Sequence, residues 1–218
     1  MSRKKFAVIL SGCGVFDGSE IHEATLTLLA ISKLNCDYDI YAPDIEQYHV
    51  INHLTGEVMN EKRNVLVESA RIARGKIQPL KKLDMTQYDA LVLPGGYGAA
   101  KNLSTFAIDG ENMKVLPEVE KAILSAAKHN KVIGAFCISP VILSKVLGNI
   151  ALTIGKDINL AKTLENWGSK HVNTSHTEVA VDPDNKIVTS PCYMLESSIA
   201  QIYDGIENSI RAMLKMML

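Results

Sequence analysis

Residues 132–140 read Val-Ile-Gly-Ala-Phe-Cys-Ile-Ser-Pro. The apolar run reads as a buried strand that ends at Cys137. Ser139-Pro140 and the following Val-Ile-Leu-Ser-Lys-Val-Leu read as a helix. Proline is tolerated in a first turn because its missing N–H has no helical partner there. Small residues, Ala135 and Ser139, stand two positions either side of the cysteine, as a tight strand–turn–helix requires. This is the layout of a nucleophile elbow with sulfur in place of oxygen. A helix N-terminus favours thiolate over thiol, so the elbow predicts a reactive Cys137. The competing reading is a buried core cysteine.

Two other loops carry groups that such a thiol would need. Pro94-Gly-Gly-Tyr-Gly98 lacks the Gly-Lys-Ser/Thr ending of a phosphate loop. Glycine backbone can approach a reacting oxygen closely, so the N–H of Gly96, with that of Ile138, forms a candidate oxyanion hole. A tight strand-to-helix turn is the alternative. Glu20 opens the first predicted helix at the same end of the sheet and is the candidate acid/base, with Glu23 one turn on as its competitor. An acid in a first turn also serves simply to complement the helix dipole. His22, His171 and His176 are possible bases that spacing does not fix. Gly12-Cys-Gly14-Val-Phe-Asp-Gly18 mimics a dinucleotide fingerprint, but the acid closing the second strand, Asp44, comes late for one.

The elements that must hold these loops follow from periodicity. Strands are predicted at Lys5–Leu10, Asp39–Ala42, Ala90–Leu93 and Val132–Phe136, with a hairpin of Val179–Val181 and Ile187–Thr189 about Asp182-Pro-Asp-Asn185. Helices are predicted over Glu20–Leu34, with Ile21, Ala24, Leu28 and Ile31 inward, and over Asn64–Ala73 and Pro117–Asn130. A short helix begins at Lys101–Phe106, and Tyr193–Leu218 is mostly a long final helix. Residues 47–60 read as an excursion or small hairpin turning at Thr55-Gly56. Alternating strands and helices predict one α/β domain over residues 1–218, with a mostly parallel sheet covered on both faces. Sites in such folds lie beyond the carboxyl ends of the strands, which gathers the three loops if their strands are neighbours.

Composition sets the outer limits. The 218 residues are 47% hydrophobic and 22% charged, with a net charge of −1. Nothing there points to nucleic acid or a membrane surface. No apolar run is long enough to span a bilayer, and the run after the basic N-terminus, Phe6 to Leu10, is too short for a signal peptide. The expectation is a cytoplasmic protein. Cys13, Cys36, Cys137 and Cys192 show neither a C-x-x-C pair nor zinc spacing, so free thiols and no metal are expected.

Four positions together resemble the class I glutamine amidotransferase-like superfamily on its DJ/PfpI branch. They are Glu20, Leu93-Pro-Gly-Gly with Gly98-Ala-Ala-Lys-Asn-Leu103, the Cys137-x-x-Pro140 elbow, and Ile187-Val-Thr-Ser-Pro191. Ser11 to Glu23, Val50 to Glu57, Arg63 to Gly75 and Leu152-Thr-Ile-Gly155 are similar to its ElbB-like subfamily. Those proteins are labelled isoprenoid-biosynthesis proteins and described as glutathione-independent glyoxalases. The resemblance spans essentially the whole chain. It implies a flavodoxin-like α/β sandwich, usually dimeric, in which Cys137 is the nucleophile and Glu20 its acidic partner. Gly95 and Gly96, with Ile138, frame the oxyanion site. It further implies a small 2-oxoaldehyde substrate, no cofactor and a homodimer. The chain departs from the amidotransferase pattern in having Ile138 directly after the cysteine and no His-x-Glu near its end, which argues against glutamine hydrolysis. Cys192 stands where a small residue is expected. A non-catalytic redox-sensing or regulatory role, and repair of glycated amines, need the same residues and remain alternatives.

Overall fold

The computed structural model describes residues 3–217. In chain order its elements are β1 (Lys5–Ile9), α1 (Ile21–Lys33), β2 (Asp37–Ala42), α2 (Val65–Ala73), β3 (Gln78–Pro79) and β4 (Ala90–Leu93). Then follow α3 (Tyr97–Lys101), α4 (Phe106–Asp109), α5 (Pro117–Lys128), β5 (Val132–Phe136) and α6 (Pro140–Leu147). The last are β6 (Ala151–Leu152), α7 (Ile158–Asn166), β7 (Lys170–His171), β8 (Ala180–Asp182), β9 (Ile187–Ser190) and α8 (Ile199–Lys215). The main sheet has the order β3-β2-β1-β4-β5-β9-β8, parallel throughout except for β8, which runs antiparallel to β9. β6 and β7 pair separately.

Alternation of side chains along each strand divides the core into two layers. Ala7, Ile9, Leu91, Leu93, Ile133 and Ala135 face one way, toward Val119 and Ile123 of α5, Val141 to Leu143 of α6 and Leu164 of α7. Phe6, Val8, Leu10, Val92, Val132 and Phe136 face the other, toward Ala24, Ala30 and Ile31 of α1 and Ile202, Ile206, Ile210 and Met213 of α8. The result is the flavodoxin-like three-layer sandwich expected from the alternation of elements.

Beyond shifts of one or two residues at element ends, three features differ from the sequence reading. The final helix starts at Ile199 and not at Tyr193, because Ser198 and Gln201 close a capping box there. Residues Cys192–Met194 form a separate 3-10 turn. Leu218, the expected end of that helix, lies outside the described residues. The expected helix at Lys101–Phe106 is two short ones, α3 and α4, interrupted where Ser104 bridges Val115. On α1 the buried residues are Glu23, Ala24, Thr27, Ala30 and Ile31, while Ile21 is exposed. The inward face is therefore rotated from the one predicted.

Candidate active site

β1, β4 and β5 are adjacent, so the loops after them meet at one end of the sheet. The segments after β1 and β4 interlock: Glu20 N–H donates to Gly95 O at 3.0 Å and Gly98 N–H to Gly18 O at 2.8 Å. Ser139 Oγ, fully buried, donates to Pro94 O at 2.7 Å and ties the elbow to the glycine loop. Asn102 donates to Ser11 O and Asp17 O at 2.8 and 2.9 Å and accepts from Tyr48 N–H at 3.0 Å. It thus holds the 47–60 segment against the first loop. That segment is a small hairpin, with Ile51 bridged to Val58 and the turn at His53–Thr55, closed by Gly56 N–H donating to Asn52 O, just ahead of the expected Thr55-Gly56.

Cys137 takes φ +58°, the left-handed backbone that an elbow imposes and that a non-glycine residue rarely adopts. Its N–H is held by Ser190 O at 3.0 Å. The N–H groups of Gly96 and Ile138 both converge on its sulfur. A side chain at Gly95 would place Cβ 2.4 Å from Cys137 Cβ and 2.6 Å from Glu23 Oε2, so the loop can lie against the thiol only with glycine there. Gly96 has φ +101° and is packed as tightly against Gly18 O and Glu20 N. The Gly95 N–H is not free for substrate, because Glu23 occupies it.

The carboxylate beside the thiol is that of Glu23, not Glu20. Glu20 is the N-cap of α1, its Oε2 accepting from Glu23 N–H at 2.7 Å. This is the capping role weighed against its catalytic one. Glu23 is completely buried. Its Oε2 accepts from Gly95 N–H at 3.0 Å, its Oε1 accepts from Tyr193 N–H at 3.2 Å, and it is hydrogen-bonded to the Cys137 sulfur. Burial, opposed by these bonds and reinforced by the neighbouring Glu20, pushes its pKa up to about 8.

The thiol is not the low-pKa group predicted from the helix dipole. Burial, then the charge of Glu23, push Cys137 well above its ordinary value, against the pull of the two N–H groups. Cys137 is 8% exposed, so desolvation outweighs the dipole. The resting site holds a neutral thiol against a carboxyl that ionises near pH 8.

Cys192 completes the constellation. It is buried in the turn after β9, and its sulfur receives the Cys137 N–H as a second acceptor. The three candidate histidines are engaged elsewhere. His22 Nδ1 bonds the Tyr193 hydroxyl at 2.8 Å, His176 Nδ1 bonds Ser197 Oγ at 2.8 Å, and His171 Nε2 accepts from Ile154 N–H at 3.4 Å. The dinucleotide-like loop has its glycine N–H groups already bonded: Gly12 to Ser69 Oγ, Gly14 to Ser19 O, Gly18 to Gly14 O. No donor among them is left for a pyrophosphate. Among the described residues, no group of three or more His, Cys, Asp or Glu could hold a metal ion. None of the helices there is long and apolar enough to cross a membrane.

No protein-family model matches the sequence. Curated relatives do. The ES1 protein homolog, mitochondrial, of Rattus norvegicus is 44% identical over 224 residues, covering 98% of this chain and 84% of the relative. Glutamine amidotransferase-like class 1 domain-containing protein 3, mitochondrial, of Homo sapiens is 44% identical over 222 residues, covering 97% and 83%. Among solved structures, an isoprenoid biosynthesis protein with amidotransferase-like domain from Ehrlichia chaffeensis is 37% identical with a TM-score of 0.90, covering 97% of this chain and 99% of that one. Drosophila melanogaster DJ-1beta, at 16% identity and a TM-score of 0.57 over 99% and 96% of the two chains, shares the fold. The relatives carry mitochondrial names, which overturns the expectation of a cytoplasmic protein: a short apolar run after the N-terminus does not decide compartment. The chain belongs to the family of ES1 and glutamine amidotransferase-like class 1 domain-containing protein 3, built on the fold of the DJ-1/ThiJ/PfpI proteins.

Proposed function

We propose that this protein is a cofactor-free glyoxalase that converts glyoxal or methylglyoxal to glycolate or lactate. The observation that carries the reading is the Cys137 thiol held between the Glu23 carboxyl and the convergent N–H groups of Gly96 and Ile138. Cys137 sulfur attacks the aldehyde carbon while Glu23, as carboxylate, takes the thiol proton and delivers it to the carbonyl oxygen. The product is a hemithioacetal whose oxygen lies among the two N–H donors. Glu23 then removes the carbon-bound proton from that centre and returns a proton to the adjacent carbon through an enediol. This leaves a thioester of the 2-hydroxy acid. Water hydrolyses the thioester, releasing the acid and restoring the thiol. The sum is addition of one water to one 2-oxoaldehyde, with no oxidant or reductant.

The catalytic pair in this reading is Cys137 and Glu23, in place of Cys137 and Glu20. One buried carboxyl with a pKa near the working pH suits both proton transfers. No histidine is bonded to Cys137 among the described residues, so the Cys-His pairing of a glutaminase is missing and the reading favours carbonyl over amide chemistry. The test is turnover of glyoxal and methylglyoxal to hydroxy acid without glutathione or added metal. An enzyme of this kind should reach a kcat/KM of about 10⁴ M⁻¹s⁻¹ or above. Turnover far below that, or turnover that survives loss of Cys137, defeats it. The homodimer implied by the family resemblance is part of the same proposal, and light scattering of the purified chain tests it.

A further inference from the structure

Four cysteines are free, and two of them share one shell. Cys137 and Cys192 follow neighbouring parallel strands. Phe136 of β5 is in register with Ser190 of β9, so Cys137 is one residue past the register pair and Cys192 two. Neighbouring strands lie about 4.8 Å apart, within the roughly 4.4–6.8 Å Cα separation that a disulfide spans. Pro191, at φ −69° and ψ −28°, curls the chain so that Cys192 turns back over the elbow, where its sulfur meets the Cys137 N–H. Both cysteines sit in left-handed backbone, at φ +58° and +42°. The charge of Glu23 is felt by both thiols. The two differ in access: Cys137 is 8% exposed and Cys192 only 1%.

We propose that Cys137 and Cys192 form a two-thiol oxidation site that reacts with hydroperoxides and closes to an intramolecular disulfide. Cys137, the more accessible thiol, attacks the outer oxygen of a hydroperoxide. The O–O bond breaks, Cys137 becomes a sulfenic acid and the peroxide leaves as the alcohol or water, with the thiol proton passing to it through Glu23. Cys192 sulfur then attacks the sulfenic sulfur, an S–S bond forms and water departs. One hydroperoxide is reduced by two electrons and two thiols are oxidised. A small thiol or dithiol reverses the step. The buried second thiol intercepts the sulfenic acid before further oxygen can add, so the nucleophile is protected from irreversible oxidation and silenced while the disulfide lasts. This uses the thiol of the glyoxalase reading but no carbonyl substrate, so the two stand or fall separately.

Trypsin places the four cysteines on four peptides. Cys137 lies on residues 132–145 and Cys192 on 187–211, with Cys13 and Cys36 on two others. The full-length protein is treated with near-stoichiometric hydrogen peroxide, alkylated under denaturing conditions and mapped by mass spectrometry. Wild type should lose two hydrogens, lose alkylation at Cys137 and Cys192 together, and yield peptide 132–145 linked to 187–211, all reversed by dithiothreitol. Cys192→Ser should instead accumulate one and then two or more oxygens on Cys137. The wild-type map alone decides if that variant fails to fold. Sulfinate on Cys137 with Cys192 still alkylated overturns the proposal, as does a bridge to Cys13 or Cys36, or no change in mass.

Discussion

Replacing Glu23 with glutamine should change stability in opposite directions at the two ends of the pH range. The carboxyl is raised from 4.5 to about 8 in the folded protein. A raised carboxyl binds its proton more tightly when folded, so its contribution is fully present below the unfolded pKa and is lost as pH rises through the folded one. A tenfold difference in proton affinity between the folded and unfolded chains corresponds to about 1.4 kcal/mol. Wild type should therefore lose roughly 4 kcal/mol between pH 5 and pH 9 from this group alone, nearly all of it between about 4.5 and 8. Glutamine stays neutral throughout. It keeps one acceptor oxygen for the N–H of Gly95 or Tyr193 and leaves the other N–H facing an amide, at about 1–3 kcal/mol. Urea denaturation of both proteins at pH 5, 7 and 9 should show Glu23→Gln less stable at pH 5 and more stable at pH 9. Other titrating groups largely cancel in the difference. A stability difference that is flat across this range refutes the account of Glu23 as a buried, proton-holding carboxyl.

Glu20→Ala removes an N-cap oxygen and should lower stability by about 1 kcal/mol in thermal melts while leaving turnover within a few-fold of wild type. Loss of turnover comparable to Glu23→Gln, expected at about 10²–10⁴-fold, would return the acid/base role to Glu20. Gly95→Ala drives Cβ into Cys137 and the Glu23 carboxyl, so iodoacetamide labelling of Cys137 in the folded protein and turnover should both collapse, and an unaltered labelling rate would contradict the packing. The profile of kcat/KM against pH should rise as Glu23 ionises near pH 8, because the carboxylate must accept the thiol proton. A profile flat from pH 6 to 9 would be inconsistent with that step.

Much of the scaffold was written in local patterns. Strands β4 and β5, and β1 after Lys5, are short apolar runs, the mark of parallel strands buried on both faces. Their adjacency was not legible: the rule that sites gather beyond the carboxyl ends joins the three loops only if the strands are neighbours, and the sheet order supplies that. The elbow residue was legible because Ser139-Pro140 fixes where the helix begins. The acid was harder. Glu20 and Glu23 both lie in or next to the first turn, and a helix face drawn through Ile21 and Leu28 puts Glu23 outside the stripe. The observed face, Ala24, Thr27, Ala30 and Ile31, packs against α8, with small residues at three of its four positions, and Glu23 lies within it. A carboxylate on a buried stripe was the available signal. The thiol's environment was not legible at all, because desolvation depends on how closely Gly95, Glu23 and Cys192 enclose it. The start of α8 was legible: Ser198-x-x-Gln201 is a capping box, and apolar periodicity alone ran the helix back past it to Tyr193.

Steady-state turnover of glyoxal and methylglyoxal by wild type and Cys137→Ala, without glutathione or added metal, decides whether the elbow thiol is a glyoxalase nucleophile. Wild type should form hydroxy acid at a kcat/KM of about 10⁴ M⁻¹s⁻¹ or above. A Cys137→Ala protein that melts as a folded domain should form none above background. Wild-type turnover that is absent, or that persists without Cys137, would contradict that role.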